Sequence, residues 1–360
     1  MTLKRVGAAG AAVVLLLLGA YAGFLGIRSR QAISLGVAGR YPVGRAFHEL
    51  ADRSRTDSLA PLGGNPRVLS VTLWYPAAST GKPSAYAPGA WGGLHRFGWA
   101  ETAFGKIATG TYDDVPVAAG AFPIVVLLPG LGFSAPQYTA VGAALAAQGY
   151  LVAGVTPTYS ANVTVIAGRA VRASAAGDPP DVGGVRGQGL VAVWAADARF
   201  AAAQVRVLLG VHAAAGPIVY AGHSFGGAAA IEACRGDVTC AGAADLDGTP
   251  VGTAGLAAPL LLLSSGADGI DEDPAAQQLF AASGSSAWAY TITDARHFDF
   301  SDYGAYWLAA PVRAVLPLGS PATLEVTRRY LAAFLATAFG HRAWRAPEIT
   351  GVHAADMLAR

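Results

Sequence analysis

The 360-residue sequence has few charged side chains and only two cysteines, and it has no long basic tract. Asp, Glu, Lys and Arg together make up 13% of the residues, about half the share that is usual for soluble domains. The formal net charge is +2, and no basic tract is interleaved with aromatic residues, so we expect no nucleic-acid partner. Neither an H-E-x-x-H motif nor a pair of C-x-x-C motifs occurs, so we expect neither a metal nor a cofactor.

The N-terminus carries the longest apolar run of the chain. Lys4 and Arg5 precede an uncharged stretch from Val6 to Ile27, which as a helix would span roughly 33 Å, enough for a bilayer core. The run fits a signal anchor, a signal peptide cleaved at Ala20-Tyr21-Ala22, or a buried helix of a globular protein. The basic flank favours a cytoplasmic N-terminus, so the first two interpretations place the rest of the chain outside the cytoplasm.

Export bears on the two cysteines, Cys234 and Cys240, which lie close together in the sequence. In an oxidising compartment they would close a short disulfide loop, and the alternative is two free buried thiols.

Apolar runs alternate with helical segments along most of the chain. Strands are predicted from 41 and at 67–76, 122–128, 150–155, 217–221, 241–246, 258–263 and 287–292, and helices at 138–148, 190–209, 273–282 and 322–339. Such alternation is typical of a doubly wound α/β fold, with a mostly parallel central sheet and helices on both faces. We therefore expect an N-terminal hydrophobic helix (1–30), one catalytic domain (31–345) and a C-terminal tail (346–360).

The stretch Gly222-His223-Ser224-Phe225-Gly226-Gly227 lies between a predicted strand and an alanine-rich helix. A serine in this strand–turn–helix context is lifted above the sheet, and the glycines permit the close approach of strand and helix. The pattern is typical of the nucleophile of an α/β-hydrolase, and it predicts Ser224 as that nucleophile.

A serine nucleophile needs a histidine to accept its proton and a carboxylate to hold that histidine. In α/β-hydrolases these residues follow the serine in the order acid, then histidine. His297, after the last predicted strand, fits the base. Asp247 and Asp268 each end a strand, so the residue pattern leaves the acid open between them.

An acyl-transfer site also needs two N–H donors for the oxyanion. One is predicted at Phe225, directly after the serine, and the other at Leu131, in the turn that follows the first central strand.

Several motifs together resemble the type II platelet-activating-factor acetylhydrolases and their bacterial relatives within the α/β-hydrolases. The resemblance covers roughly residues 40 to 340 and rests on Tyr41-Pro42-Val43-Gly44, Leu73-Trp74-Tyr75-Pro76, Pro129-Gly130-Leu131-Gly132, the serine motif, Asp245-Leu246-Asp247-Gly248-Thr249-Pro250 and His297-Phe298-Asp299-Phe300-Ser301-Asp302. It implies Asp247 as the acid, Leu131 and Phe225 as oxyanion donors, and short-acyl esters, including those of phospholipids, as substrates. Pro129 departs from the group, where many relatives have histidine.

These observations predict a serine carboxylic ester hydrolase that acts through an acyl-serine intermediate on a small-molecule or lipid ester. A polyester hydrolase or a thioesterase would use the same triad. The alternative of another class is a non-catalytic surface binding protein with the α/β-hydrolase fold. The predicted location is extracytoplasmic, anchored in the membrane by the N-terminal helix or secreted after cleavage near Ala22.

Overall fold

The computed structural model describes residues 2–94, 96–266, 273–318, 322–340 and 342–355. The α-helices are α1 (Thr2–Ser29), α2 (Thr139–Ala147), α3 (Val185–Leu209), α4 (Phe225–Arg235), α5 (Pro274–Ser283), α6 (Ala310–Val315) and α7 (Thr323–Ala338). The strands are β1 (Ile33–Ser34), β2 (Val43–Thr56), β3 (Pro66–Pro76), β4 (Ile107–Ala108), β5 (Thr111–Asp113), β6 (Phe122–Leu128), β7 (Leu151–Thr156), β8 (Thr164–Ile166), β9 (Arg169–Val171), β10 (Ala213–His223), β11 (Cys240–Leu246), β12 (Leu260–Ser265), β13 (Ala287–Ile292) and β14 (Val352–Ala354).

A ten-stranded sheet organises the described part of the chain. Its order is β14-β13-β12-β11-β10-β6-β7-β3-β2-β5. In this order, each neighbouring pair of strands from β13 to β7 is parallel. Strand β14 pairs antiparallel with β13, and β3 pairs antiparallel with both β7 and β2. The prediction of a mostly parallel sheet is therefore confirmed.

Helices cover both faces of this sheet. Helices α2 and α7 pack on one face, through residues such as Val141 and Phe334. Helices α3, α4 and α5 pack on the other, through residues such as Trp194 and Ile231. Strand β6 is apolar throughout because both of its faces are buried. Val125 and Leu127 face the first helix layer, and the alternating residues Ile124, Val126 and Leu128 face the second.

A buried arginine ties β3 to the helices behind the sheet. The guanidinium of Arg67 donates to Asp197 on α3 (2.7 Å), to Asp57 (3.0 Å) and to the backbone oxygen of Thr158 (2.9 Å). All three charged side chains are buried, and the carboxylates compensate the buried cation.

The N-terminal helix stands apart from this core. The stretch Ala8–Ser29 is long and apolar enough to cross a membrane, and its apolar part is not buried in the protein, whereas Ser29 at its end is. The helix is therefore not a buried helix of the globular domain, and it fits a signal sequence or an anchor.

Several element boundaries differ from the sequence prediction, and two of the differences change how the sheet is built. The sequence indicates a turn-rich connection over Asp52 to Pro66, but β2 continues to Thr56 and β3 begins at Pro66, so the turn between them is shorter than expected. Strand β14 lies inside the stretch 346–360 that we set apart as a tail, and it pairs with β13 from Tyr290 to Ile292. This part of the tail belongs to the sheet.

Candidate active site

Ser224 occupies a sharp turn between β10 and α4. Its backbone has φ 56° and ψ −126°, a left-handed conformation that is costly for a residue with a side chain. A Cβ on Gly222 would overlap the backbone of Gly226, so the two glycines permit the close approach of strand and helix. The Ser224 N–H donates to the oxygen of Leu246 (2.8 Å), which fixes the turn against the end of β11.

His297 lies directly beside this serine, on a 3-10 turn that follows β13. Its Nε2 is 2.9 Å from Ser224 Oγ, and its Nδ1 is 2.7 Å from Asp247 Oδ2. Because a carboxylate oxygen accepts, Nδ1 carries the proton and Nε2 is free to accept from the serine hydroxyl. The structure thus brings the predicted nucleophile, base and first candidate acid together in one hydrogen-bonded chain.

Asp247 is held rigidly at the end of β11. Its side chain is 2% exposed, and its Oδ1 accepts from the N–H of Ser265 at the end of the neighbouring strand (2.6 Å). Burial alone would raise the pKa of this carboxyl, but the hydrogen bonds from His297 and the Ser265 N–H outweigh burial, and the pKa lies below its ordinary value. Asp247 is therefore ionised when it contacts His297. The other candidate acid, Asp268, lies outside the described residues.

The two predicted oxyanion donors line the same cleft as Ser224. Phe225 opens α4, and Leu131 lies in the turn after β6, where a Cβ on Gly130 would be 3.4 Å from Ser224 Cβ. Within the described residues, neither the Leu131 N–H nor the Phe225 N–H donates to another protein atom. Both are therefore available to an oxygen bound beside Ser224.

A buried tyrosine and a buried histidine connect the Gly130–Leu131 turn to the His297 turn. The Gly130 N–H donates to Tyr138 Oη (2.9 Å), and the Tyr138 hydroxyl lies 2.8 Å from His223 Nδ1. His223 Nε2 is 2.8 Å from the backbone oxygen of His297. Because that oxygen can only accept, His223 donates from Nε2 and accepts from Tyr138 at Nδ1. We call this chain the Tyr138–His223 relay.

The relay depends on an uncharged His223. Burial, reinforced by the nearby His297, lowers the pKa of His223 to about 3, so the ring stays neutral in the physiological range. His223 packs beneath the nucleophile, as the elbow geometry predicts. No pattern in the sequence singles out Tyr138, since it is a helix-flanking tyrosine far from His223 along the chain.

The cleft beside these residues has a volume of about 620 Å³. Its lining is largely apolar away from the triad and includes Val182, Val191, Ala228, Pro250 and Val251. Val182 at its edge is 39% exposed, and Val185, three residues later in the chain, is 82% exposed. The cleft suits an uncharged organic group rather than an ionic one.

A disulfide joins Cys234 near the end of α4 to Cys240 at the start of β11. It closes the connection between the element that begins at Ser224 and the strand that ends at Asp247. Among the residues that the structure describes, no group of three or more His, Cys, Asp or Glu side chains is arranged to hold a metal ion.

Comparison with known proteins adds one line of support. No protein-family model matches the chain, and no curated protein matches it. Among solved structures, a ferulic acid esterase from Streptomyces cinnamoneus is similar, with a TM-score of 0.73 and 27% sequence identity over 90% of this chain and 99% of that one. The likeness confirms the predicted fold class, is consistent with the α/β-hydrolase superfamily and supports a carboxylic ester hydrolase. It does not extend to the substrate.

Proposed function

We propose that this protein is a serine carboxylic ester hydrolase in which Ser224, His297 and Asp247 form the catalytic triad. The observation that carries the proposal is the continuous hydrogen-bonded chain from Ser224 Oγ through the His297 ring to Asp247. The likeness to an esterase over most of the chain supports the same reaction class.

In the proposed mechanism, His297 Nε2 removes the Ser224 proton as Oγ attacks the ester carbonyl. The N–H groups of Leu131 and Phe225 stabilise the negative oxygen of the tetrahedral intermediate. His297 then donates its proton to the departing alcohol, which leaves an acyl-serine. Water, deprotonated by the same histidine, releases the acid and regenerates the serine, while Asp247 holds the imidazole throughout.

For the substrate, we propose short-acyl esters, including acetyl esters of phospholipids, as the resemblance to type II platelet-activating-factor acetylhydrolases implies. The apolar cleft and its exposed valines support an uncharged acyl or alcohol group. A panel of p-nitrophenyl acetate, an acetylated phospholipid and an alkyl ferulate separates this substrate class from the ferulate ester that the similar structure suggests.

For the location, we propose that α1 is a signal anchor that leaves residues 31–345, together with β14, outside the cytoplasm. Its length, its apolar surface and the basic flank at Lys4 and Arg5 support an anchor with a cytoplasmic N-terminus. The disulfide supports an oxidising compartment.

The direct test of the activity is covalent labelling with a fluorophosphonate probe. The wild-type protein and a Ser79→Ala control, altered at an exposed serine after β3, should react and should hydrolyse p-nitrophenyl acetate. Ser224→Ala should do neither. A folded wild-type protein that fails to label would overturn the proposal and favour the non-catalytic binding protein.

A further inference from the structure

We propose that the catalytic domain rests on the bilayer through its own surface. This surface, which we call the anchor face, consists of Phe24, Arg28, Trp99 and Trp307. The proposal rests on α1 remaining attached as a signal anchor, as proposed above. It adds that the domain itself contacts the lipid headgroups, rather than being joined to the membrane by α1 alone.

The end of α1 is fixed to the domain without a linker. The backbone oxygen of Ser29, the last residue of α1, accepts from the N–H of Ala103 (2.8 Å). The guanidinium of Arg28, the residue before Ser29, lies 5.2 Å from the centre of the Trp307 ring, and the ring of Phe24 meets Trp307 edge-on at 6.3 Å. The chain that leaves the bilayer therefore contacts the domain at once.

An exposed tryptophan lies beside this junction. Trp99, on the 3-10 turn Gly98–Ala100 that contacts α1, is 70% exposed. A tryptophan this exposed is unusual in water, whereas its apolar ring and polar N–H suit the boundary between lipid and water. The apolar stretch of α1 ends at Ser29, so the boundary passes close to this turn.

The charge around the anchor face has one sign. Arg28 belongs to it, Arg30 and Arg96 are two and three residues from Arg28 and Trp99 along the chain, and the first 48 residues contain no Asp or Glu. The neighbouring carboxyl, Glu101, is 2% exposed, and burial raises its pKa to about 7. Cationic and aromatic side chains without an exposed carboxylate fit anionic lipid headgroups.

The anchor face is also connected to the candidate active site. The Thr102 N–H donates to the oxygen of Trp307 (3.0 Å), which joins the two segments. From there, ring contacts of 6.3 Å between Phe97 and Tyr303 and 6.4 Å between Tyr303 and Phe298 lead to the residue next to His297. A continuous series of contacts therefore joins the anchor face to the turn that carries His297.

The depth of position 99 in a membrane tests the proposal. The full chain carrying Trp99→Cys is spin-labelled and reconstituted in bilayers of phosphatidylcholine and phosphatidylglycerol. Both native cysteines are in the disulfide, so the introduced thiol alone reacts. Electron paramagnetic resonance then compares collisions with oxygen, which dissolves in lipid, and with a water-soluble nickel chelate.

Val211→Cys is the matched control. Val211 is 86% exposed and precedes β10, at the opposite end of the strand from Ser224. We expect a severalfold higher oxygen-to-nickel ratio at position 99 than at 211, with unchanged thermal unfolding in both variants. Equal ratios in incorporated protein would overturn the anchor face while leaving the anchor intact, and a chain that does not incorporate would overturn both. Turnover of soluble p-nitrophenyl acetate reports the esterase proposal separately.

Discussion

Replacing Tyr138 by phenylalanine removes one oxygen from the Tyr138–His223 relay and leaves the ring in place. The lost hydroxyl accepts from the Gly130 N–H and lies 2.8 Å from His223 Nδ1, and all three groups are buried. The Gly130 N–H and the Nδ1 atom of His223 are then left without a hydrogen bond. Each unsatisfied buried group costs about 1–3 kcal/mol, so the free energy of unfolding should fall by about 2–6 kcal/mol.

The same change should impair turnover, because the relay holds both sides of the candidate site. Gly130 precedes the proposed oxyanion donor Leu131, and His223 donates to the backbone oxygen of His297. A displacement of about 1 Å in a reacting group can cost about a hundredfold in rate, so we expect kcat to fall between tenfold and a hundredfold. KM should change less, since the relay lies beneath the site and does not line the cleft.

Steady-state hydrolysis of p-nitrophenyl acetate and urea unfolding measure the two effects. Tyr220→Phe is the matched control, because its buried hydroxyl donates to Asp237 (2.5 Å) at the other end of α4. The control should lose stability and keep its kcat. If Tyr138→Phe also keeps the wild-type kcat, the relay stabilises the fold without positioning the reacting groups, and our reasoning is refuted.

Three further predictions concern the acid, the buried arginine and the disulfide. Asp247→Asn places an amide against His297 Nδ1 and moves the ring proton to Nε2, so kcat should fall by about 10⁴ in a folded protein. Asp268→Asn should remain active, and the reverse pattern would transfer the acid role to Asp268. Arg67→Met leaves the buried Asp57 without its cationic partner and Asp197 with Arg55 as its remaining one. It should lower the unfolding free energy by about 3–5 kcal/mol, so an unchanged urea midpoint would contradict this. Cys240→Ser opens the disulfide loop, whose cysteines have a sequence separation of 6, and should lower the free energy of unfolding measured by calorimetry by about 2 kcal/mol. An unchanged free energy of unfolding would show that the bond does not form in the wild-type protein.

The sequence was most informative where local pattern and tertiary role agree. The apolar run at β6 is buried on both faces, so its boundaries at Phe122 and Leu128 are those expected from the sequence. The order of Ser224, Asp247 and His297 follows from the fold, because parallel strands end at one edge of the sheet and bring distant loops together.

Other features depend on contacts that no local pattern encodes. Strand β14 is a three-residue edge strand whose partner β13 lies far away along the chain, so its sequence resembled a tail. Tyr138 gains its role from a histidine 85 residues later, and Trp99 gains its position from the end of α1. In each case the tertiary partner, rather than the residue's own sequence neighbours, decides what the residue does.

The disulfide has a consequence for how the protein matures. A chain with two cysteines has only one intramolecular pairing, so oxidation yields no scrambled isomers that must later be reshuffled. The two thiols are near neighbours along the chain, so they can meet before the distant strands of the sheet assemble. The bond can therefore form early in folding, with an oxidant alone and without a disulfide isomerase.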